Sequence, residues 1–209
     1  MRNLHDPAKA CWNCGRATEE FHFCAHCGNL QPPAGDYFQY LGLPRKLQID
    51  PEDLEKRFYS LSRRLHPDLY FKRSERERRL SLDATALLND AYRTLKHPVA
   101  RAECLLGLEG VQKGEQKSSD VPPELLEEVF DLNMALEQIR SGDQSVRAQL
   151  IEAKQKFEDL LEQADQALEA MFAAWDRAGG REVLERIGSM LSRRSYVQNL
   201  LQDVNRALV

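Results

Sequence analysis

No run of apolar residues in this chain approaches the roughly 20 positions that span a bilayer. Met1 to Ala10 is too short and too polar for a secretory signal or a typical transit peptide. The expectation is therefore a soluble cytoplasmic protein, or one of the mitochondrial matrix if a targeting segment has been removed. No glycine-rich phosphate loop and no nucleophile–base pair stands out, which makes an enzyme the least favoured class. Basic charge is scarce where nucleic acid would need it: residues 102–209 hold 12 Lys+Arg against 20 Asp+Glu, and residues 1–35 hold three of each. Phosphate binding wants net positive surface, so nucleic acid is not an expected partner.

Cysteine is also scarce, five in 209 residues, but four of the five crowd into one short stretch. Cys11, Cys14, Cys24 and Cys27 form two C-x2-C pairs, each followed directly by a glycine, Gly15 or Gly28. Two thiolates three positions apart converge on one ion, and the glycine lets amide groups turn toward sulfur. Four sulfurs fill a tetrahedral shell, which suits a structural Zn²⁺. Iron in the same shell is a rival that spacing does not exclude, and His22 or His26 replacing a cysteine is another. Disulfides are less favoured without a secretion signal. Residues 1–35 are too few for a core of their own, so metal binding should supply most of their folding energy, with Trp12, Phe21 and Phe23 as a small apolar cover. Cys104, among Ala102, Leu105 and Leu106, reads as a buried thiol without chemistry.

The rest reads as helix. Asp50-Pro51-Glu52-Asp53 is a helix start, with an N-cap, an early proline and acids at the positive dipole end. Leu54, Phe58, Leu61 and Leu65 follow on one face. Ser74-Glu75-Arg76-Glu77 has capping-box spacing and opens a second helix with Leu80, Ala84, Leu87, Leu88, Ala91 and Leu95 as its apolar side. The two should pack as an antiparallel hairpin joined by the loop His66 to Arg73, because Pro67 disfavours helix at His66. Taken alone, His66-Pro67-Asp68 could simply end a helix and cap a turn. Residues 36–101 carry 14 Lys+Arg against 10 Asp+Glu. Arg57, Arg63, Arg64, Lys72 and Arg73 form a candidate positive surface that steers toward an acidic partner, whereas Arg76, Arg78 and Arg79 read as a solvated face.

Gly107 to Asp120 is a polar linker. Three helices should follow as an antiparallel bundle: one from near Pro122 to Ser141-Gly142, one from Asp143 to about Ala178, and one from Gly179-Gly180 to the end. The expected seam of the second is Val146, Leu150, Ala153, Phe157, Leu160, Ala164, Ala167, Met171 and Trp175. That of the third is Ile187, Met190, Val197, Leu201, Val204 and Leu208, broken by Arg194. On the first, Leu125, Val129, Leu132, Leu136 and Ile139 form a sufficient core stripe. Leu126, Phe130 and Met134 lie on a second stripe roughly 140° away, which either packs on the hairpin or docks another protein.

A short helix carrying Tyr37-Phe38, a basic helix, His66-Pro67-Asp68 and a helix ending Asn89-Asp90-Ala91-Tyr92-Arg93-Thr94-Leu95 together resemble a J-domain, over residues 36–101. With Thr94-Leu95-Lys96-His97-Pro98, Arg101-Ala102-Glu103, Leu105-Leu106 and the bundle, residues 36–209 resemble the HscB family of iron–sulfur cluster co-chaperones. The Cys11-Trp12-Asn13-Cys14-Gly15 knuckle resembles an extension found on some members. The resemblance implies an all-α fold: a metal-binding, zinc-ribbon-like extension at 1–35, a J-domain at 36–106, a linker at 107–121 and a three-helix bundle at 122–209. It implies that His66, Pro67, Asp68, Arg57, Arg63, Arg64 and Lys72 engage an HscA- or DnaK-type ATPase chaperone. It further implies that Leu126, Phe130, Asp131, Met134 and Tyr196 bind an IscU-like scaffold; Asn133-Met134 departs from relatives that carry Glu there. A homodimer through the N-terminal extension is left open. The C-x-x-C-x-G-x-G repeats and Gly/Phe-rich linker of a general DnaJ co-chaperone are absent.

Overall fold

Two cysteine hairpins lead into seven helices among the described residues, 9–111 and 125–208 of the computed structural model. These form two compact units that divide between Arg101 and Ala102.

In the first unit, β1 (Lys9–Ala10) pairs antiparallel with β2 (Ala17–Thr18), Ala10 opposite Ala17. A bridge between Phe23 and Leu30 closes the second hairpin. Helix α1 (Tyr37–Tyr40) starts at a capping box of Asp36 and Gln39 and buries Phe38 and Tyr40. Helix α2 (Pro51–Leu65) has Asp50 as N-cap, Glu52 and Asp53 in the first turn and Arg63 and Arg64 in the last, so both ends match the helix dipole. Helix α3 (Glu75–Lys96) opens on the reciprocal Ser74–Glu77 capping box. Leu54 and Leu65 of α2 and Ala84, Leu88, Ala91 and Leu95 of α3 are buried, and Phe58 stacks on Tyr92 with centroids 4.2 Å apart. Each fully buried leucine stabilises the hairpin by about 1.5–3 kcal/mol. The Tyr40 hydroxyl donates to the Ala84 carbonyl at 3.0 Å, which ties α1 to α3. Helix α4 (Pro98–Leu108) spans the division between the units and runs two residues into the stretch expected as linker, and Cys104 on it is half-buried, not fully buried. Residues 112–121 of that linker and the expected helix start at Pro122 lie outside the described residues.

The second unit is the expected antiparallel bundle of α5 (Leu126–Arg140), α6 (Arg147–Ala178) and α7 (Arg181–Leu208). Antiparallel pairing of the two long helices is fixed at one end and near the middle: Arg147 donates to Leu208 O at 3.0 Å, and Arg194 makes a two-point contact with Asp165 at 2.5 and 3.1 Å. Arg194 thus breaks the apolar run of α7 in order to cross-link it to α6. Leu125, Val129, Leu132 and Leu136 are buried as expected, and Ile139 packs against them. The seam of α6 is corrected. Beyond Phe157 it buries Leu161, Ala164, Leu168 and Phe172, while Leu160, Ala167, Met171 and Trp175 are only partly covered. On α7, Leu184 and Leu191 are buried and Met190 is not.

Candidate functional site

The metal-binding residues come together first. Each knuckle folds the same way: the Cys11 amide donates to Arg16 O and Gly15 N to Cys11 O, and the Cys24 amide donates to Asn29 O and Gly28 N to Cys24 O, all at 2.8–2.9 Å. Gly15 and Gly28 stand at φ of 70° and 69°, the left-handed region in which a Cβ is strained, and this is why glycine follows each pair. The four Sγ atoms all lie within 4.8 Å of one another. The Cys11–Cys27 and Cys14–Cys24 separations are 3.6 and 3.8 Å. A tetrahedron with metal–sulfur bonds of about 2.3 Å has edges of about 3.8 Å, so the cluster fits a tetrathiolate ion, and a disulfide at about 2.05 Å does not describe it.

Electrostatics point the same way. Amide donors, first that of Cys14 and then that of Asn13, bring the Cys11 thiol down to about 6. Cys14, in spite of the Arg16 amide, is pushed up to about 11 by burial and the three neighbouring sulfurs. A bound cation favours the deprotonated form of each sulfur that it takes. The Asn13 and His26 amides donate to Cys11 and Cys24 at 3.4 Å, and so does the Gln31 side chain to Cys11. That glutamine contact had no signal in the cysteine spacing. The histidine rivals fall away: His26 is exposed and outside the cluster, and the His22 Nε2–H donates to Tyr40 O at 2.9 Å. Burial holds His22 below its ordinary value, with the Tyr40 carbonyl acting the other way and the Arg64 charge acting with burial.

The aromatic cover is also corrected. Phe21 is exposed, and the faces of Trp12 and Phe23 meet arginines of the α2–α3 hairpin: the Arg64 guanidinium lies 4.3 Å from the Phe23 centroid and that of Arg76 lies 4.4 Å from Trp12. Arg76 is therefore stacked on a ring, not a freely solvated charge.

In the loop, Pro67–Tyr70 form one 3-10 turn, and His66 caps it by accepting the Asp68 amide at Nδ1, 3.3 Å away. The Asp68 carboxylate takes no backbone hydrogen among the described residues; its one neighbour is His66 Nδ1 at 3.5 Å, and the side chain is 89% exposed. The local structural work is done by His66 and Pro67, which leaves the carboxylate for something outside the chain. Arg63, Arg64 and Lys72 are exposed. Arg57 differs, since it is held by Asp53 at 2.8 Å and Gly42 O at 2.6 Å. Beneath the loop, Ser81 and Thr85 of α3 both donate to the Leu65 carbonyl, at 2.6 and 3.1 Å, and the Tyr70 hydroxyl donates to Arg64 O at 3.2 Å.

On the bundle, Leu126, Phe130 and Met134 are 54%, 66% and 47% exposed, a continuous outward stripe on α5. Asp131 is exposed one helical step, about 100°, from Phe130. Tyr196 is packed against the bundle core, and burial raises its phenol above the ordinary value. The exposed apolar face is thus made by Leu126, Phe130 and Met134, with Tyr196 a core-edge residue.

A family model described as the HSCB C-terminal oligomerisation domain matches residues 121–205. The iron–sulfur cluster co-chaperone protein HscB of Mus musculus is 34% identical over 171 residues, 76% of this chain and 73% of the relative. The chain belongs to the HscB family. It is accordingly a co-chaperone of iron–sulfur cluster assembly. Among solved structures, that of human co-chaperone protein HscB has a TM-score of 0.72 at 26% identity and covers 95% of this chain and 98% of its own. Chaperone HscB from Vibrio cholerae has a TM-score of 0.59 at 27% identity, with 82% and 96% covered. No described helix is long and apolar enough to cross a membrane.

Proposed function

We propose that this HscB-family chain bridges two proteins, an HscA- or DnaK-type ATPase chaperone at the J-domain and an IscU-like scaffold at the bundle. The observation that carries this reading is the exposed Leu126-Phe130-Met134 stripe on a bundle whose core is already filled by other residues. A monomer rarely leaves such a face bare without a use for it. At the other end, Asp68 offers an unengaged carboxylate to an arginine of the chaperone, a charge-assisted pair that an amide does not reproduce. His66 and Pro67 set the turn that presents it. Arg63, Arg64 and Lys72 supply positive field toward an acidic surface, and Arg57 adds charge from a fixed position. Hydrolysis stimulated by the J-domain then traps the scaffold held by the bundle.

The four cysteines hold one Zn²⁺, which closes the two knuckles and adds folding energy there. For self-assembly, the family description attaches oligomerisation to residues 121–205, which favours the bundle over the N-terminal extension as the contact surface.

Titration calorimetry of the purified chain with an IscU-like scaffold tests the bridge. Leu126→Ala/Phe130→Ala should weaken binding at least tenfold, as buried apolar anchors do, while thermal stability stays within about 0.5 kcal/mol because both side chains are exposed. Scaffold affinity equal to that of the parent rules the stripe out as the docking face.

A further inference from the structure

Phe23 and Trp12 do more than cover the knuckles. The loop that carries His66, Pro67 and Asp68 is bounded by the end of α2 at Leu65 and the start of α3 at Glu75. Arg64 is the second residue before His66, and Arg76 lies in the first turn of α3. The knuckle pair contributes one aromatic face to each, Phe23 from the second knuckle and Trp12 from the first. The two contacts therefore sit on opposite sides of the loop, one per helix of the hairpin.

Each ring is itself fixed inside the knuckles. Trp12 Nε1–H donates to Leu30 O at 2.7 Å, and Phe23 is bridged to Leu30. Between them, His22 joins the knuckle to α1 through Tyr40, by its hydrogen bond and by an edge-on ring contact at 4.6 Å. The apolar side chains buried inside the knuckles are Cys11, Cys24 and Leu30, and the buried Gln31 donates to the Cys11 sulfur. The position of both rings thus depends on the tetrathiolate cluster.

The arginines are held yet remain available. Arg64 and Arg76 are both exposed, and among the described residues neither has an ion-pair partner. A guanidinium stacked on a ring has one face covered while its N–H edge stays free, and stacking removes the rotamer freedom that a flexible arginine would lose on binding.

We propose that the metal-loaded knuckle pair is a clamp on the J-domain, in which Phe23 and Trp12 are positioning residues that hold Arg64 and Arg76 on either side of the His66–Arg73 loop, pre-aimed at carboxylates of the partner chaperone. This rests on the J-domain reading above and adds the purpose of the metal site: loss of the ion frees both arginines and weakens chaperone binding without touching Asp68.

The test uses the full chain, Zn²⁺-loaded and chelator-stripped, beside the loaded variants Phe23→Leu, Phe23→Tyr and Asp68→Asn, each variant checked for one bound metal per chain. One readout is the Nε–H proton resonance of Arg64, which a ring beneath the guanidinium moves upfield. The other is affinity for the ATPase domain of a DnaK-type chaperone. The upfield shift should be present in the loaded parent and in Phe23→Tyr and absent in Phe23→Leu and in the stripped chain. Affinity should fall about fivefold in the last two, the scale of a lost pre-organising contact, and be retained in Phe23→Tyr. Unchanged affinity in Phe23→Leu and in the stripped chain, with Asp68→Asn defective, overturns the clamp alone. Asp68→Asn binding as well as the parent overturns the J-domain reading and the clamp with it.

Discussion

The Leu65 carbonyl, the last of α2 before the His-Pro-Asp loop, accepts two hydroxyls, from the buried Ser81 and from the half-buried Thr85 one turn later. Pro67 and the 3-10 turn take this carbonyl out of the normal helical ladder, and α3 supplies the donors instead. Ser81→Ala should cost about 1 kcal/mol in urea unfolding, and Ser81→Ala/Thr85→Val about 1–3 kcal/mol because the carbonyl is then left unpaired. A double variant as stable as the parent shows that the carbonyl has found water. These hydroxyls were not legible in the sequence: periodicity finds the apolar side of α3, and a serine within it looks like an interruption. The cysteines were legible, since spacing and the following glycines dictate the cluster directly. The stacking of Arg76 on Trp12 was not, because residues far apart in sequence met through tertiary packing that no local pattern encodes.

Among the elements, caps were the most legible. Asp50-Pro51 and Ser74-x-x-Glu77 mark α2 and α3 because an orphaned amide needs an acceptor at a fixed offset. The seam of α6 was less legible, for a reason of phase. Steps of three and four in strict alternation average 3.5 residues per turn, whereas an unforced helix has 3.6. Over 32 residues the difference moves the buried line by about one position, from Leu160 to Leu161 and from Met171 to Phe172. Phe172→Ala should therefore cost about 3–5 kcal/mol, as core truncations do, and Trp175→Ala clearly less, measured by thermal unfolding; the reverse order contradicts the assigned face. The same helix is joined to α5 by Lys156 and Glu128 at 2.7 Å. The lysine's hydrogen bond, foremost, holds the Glu128 carboxyl below its ordinary value of 4.5. A depressed carboxyl contributes stability above that ordinary value and loses it as pH falls through the folded one. Acidification from pH 5 to about 3 should lower the melting temperature more in the parent than in Lys156→Met, and equal slopes would count against the pair. With Lys156 half exposed, the effect is small.

At the scale of the whole molecule, the basic J-domain unit and the acidic bundle unit divide the charge of the chain between them, and the metal site belongs to the first. Chelation should release one metal ion per chain and abolish the knuckle packing while the helical circular-dichroism signal stays nearly unchanged, because the metal supplies the core of the knuckles and not that of the helices. Collapse of the helical signal on chelation contradicts that partition. The central claim is that one chain engages a chaperone through Asp68 and a scaffold through Leu126 and Phe130. It is tested most directly by the ATP hydrolysis rate of a DnaK-type chaperone, with and without an IscU-like scaffold, as this chain is titrated in. The parent should raise the rate and raise it further with scaffold. Asp68→Asn should raise it in neither case, and Leu126→Ala/Phe130→Ala should keep the first rise and lose the second. Stimulation by Asp68→Asn equal to that of the parent contradicts the account.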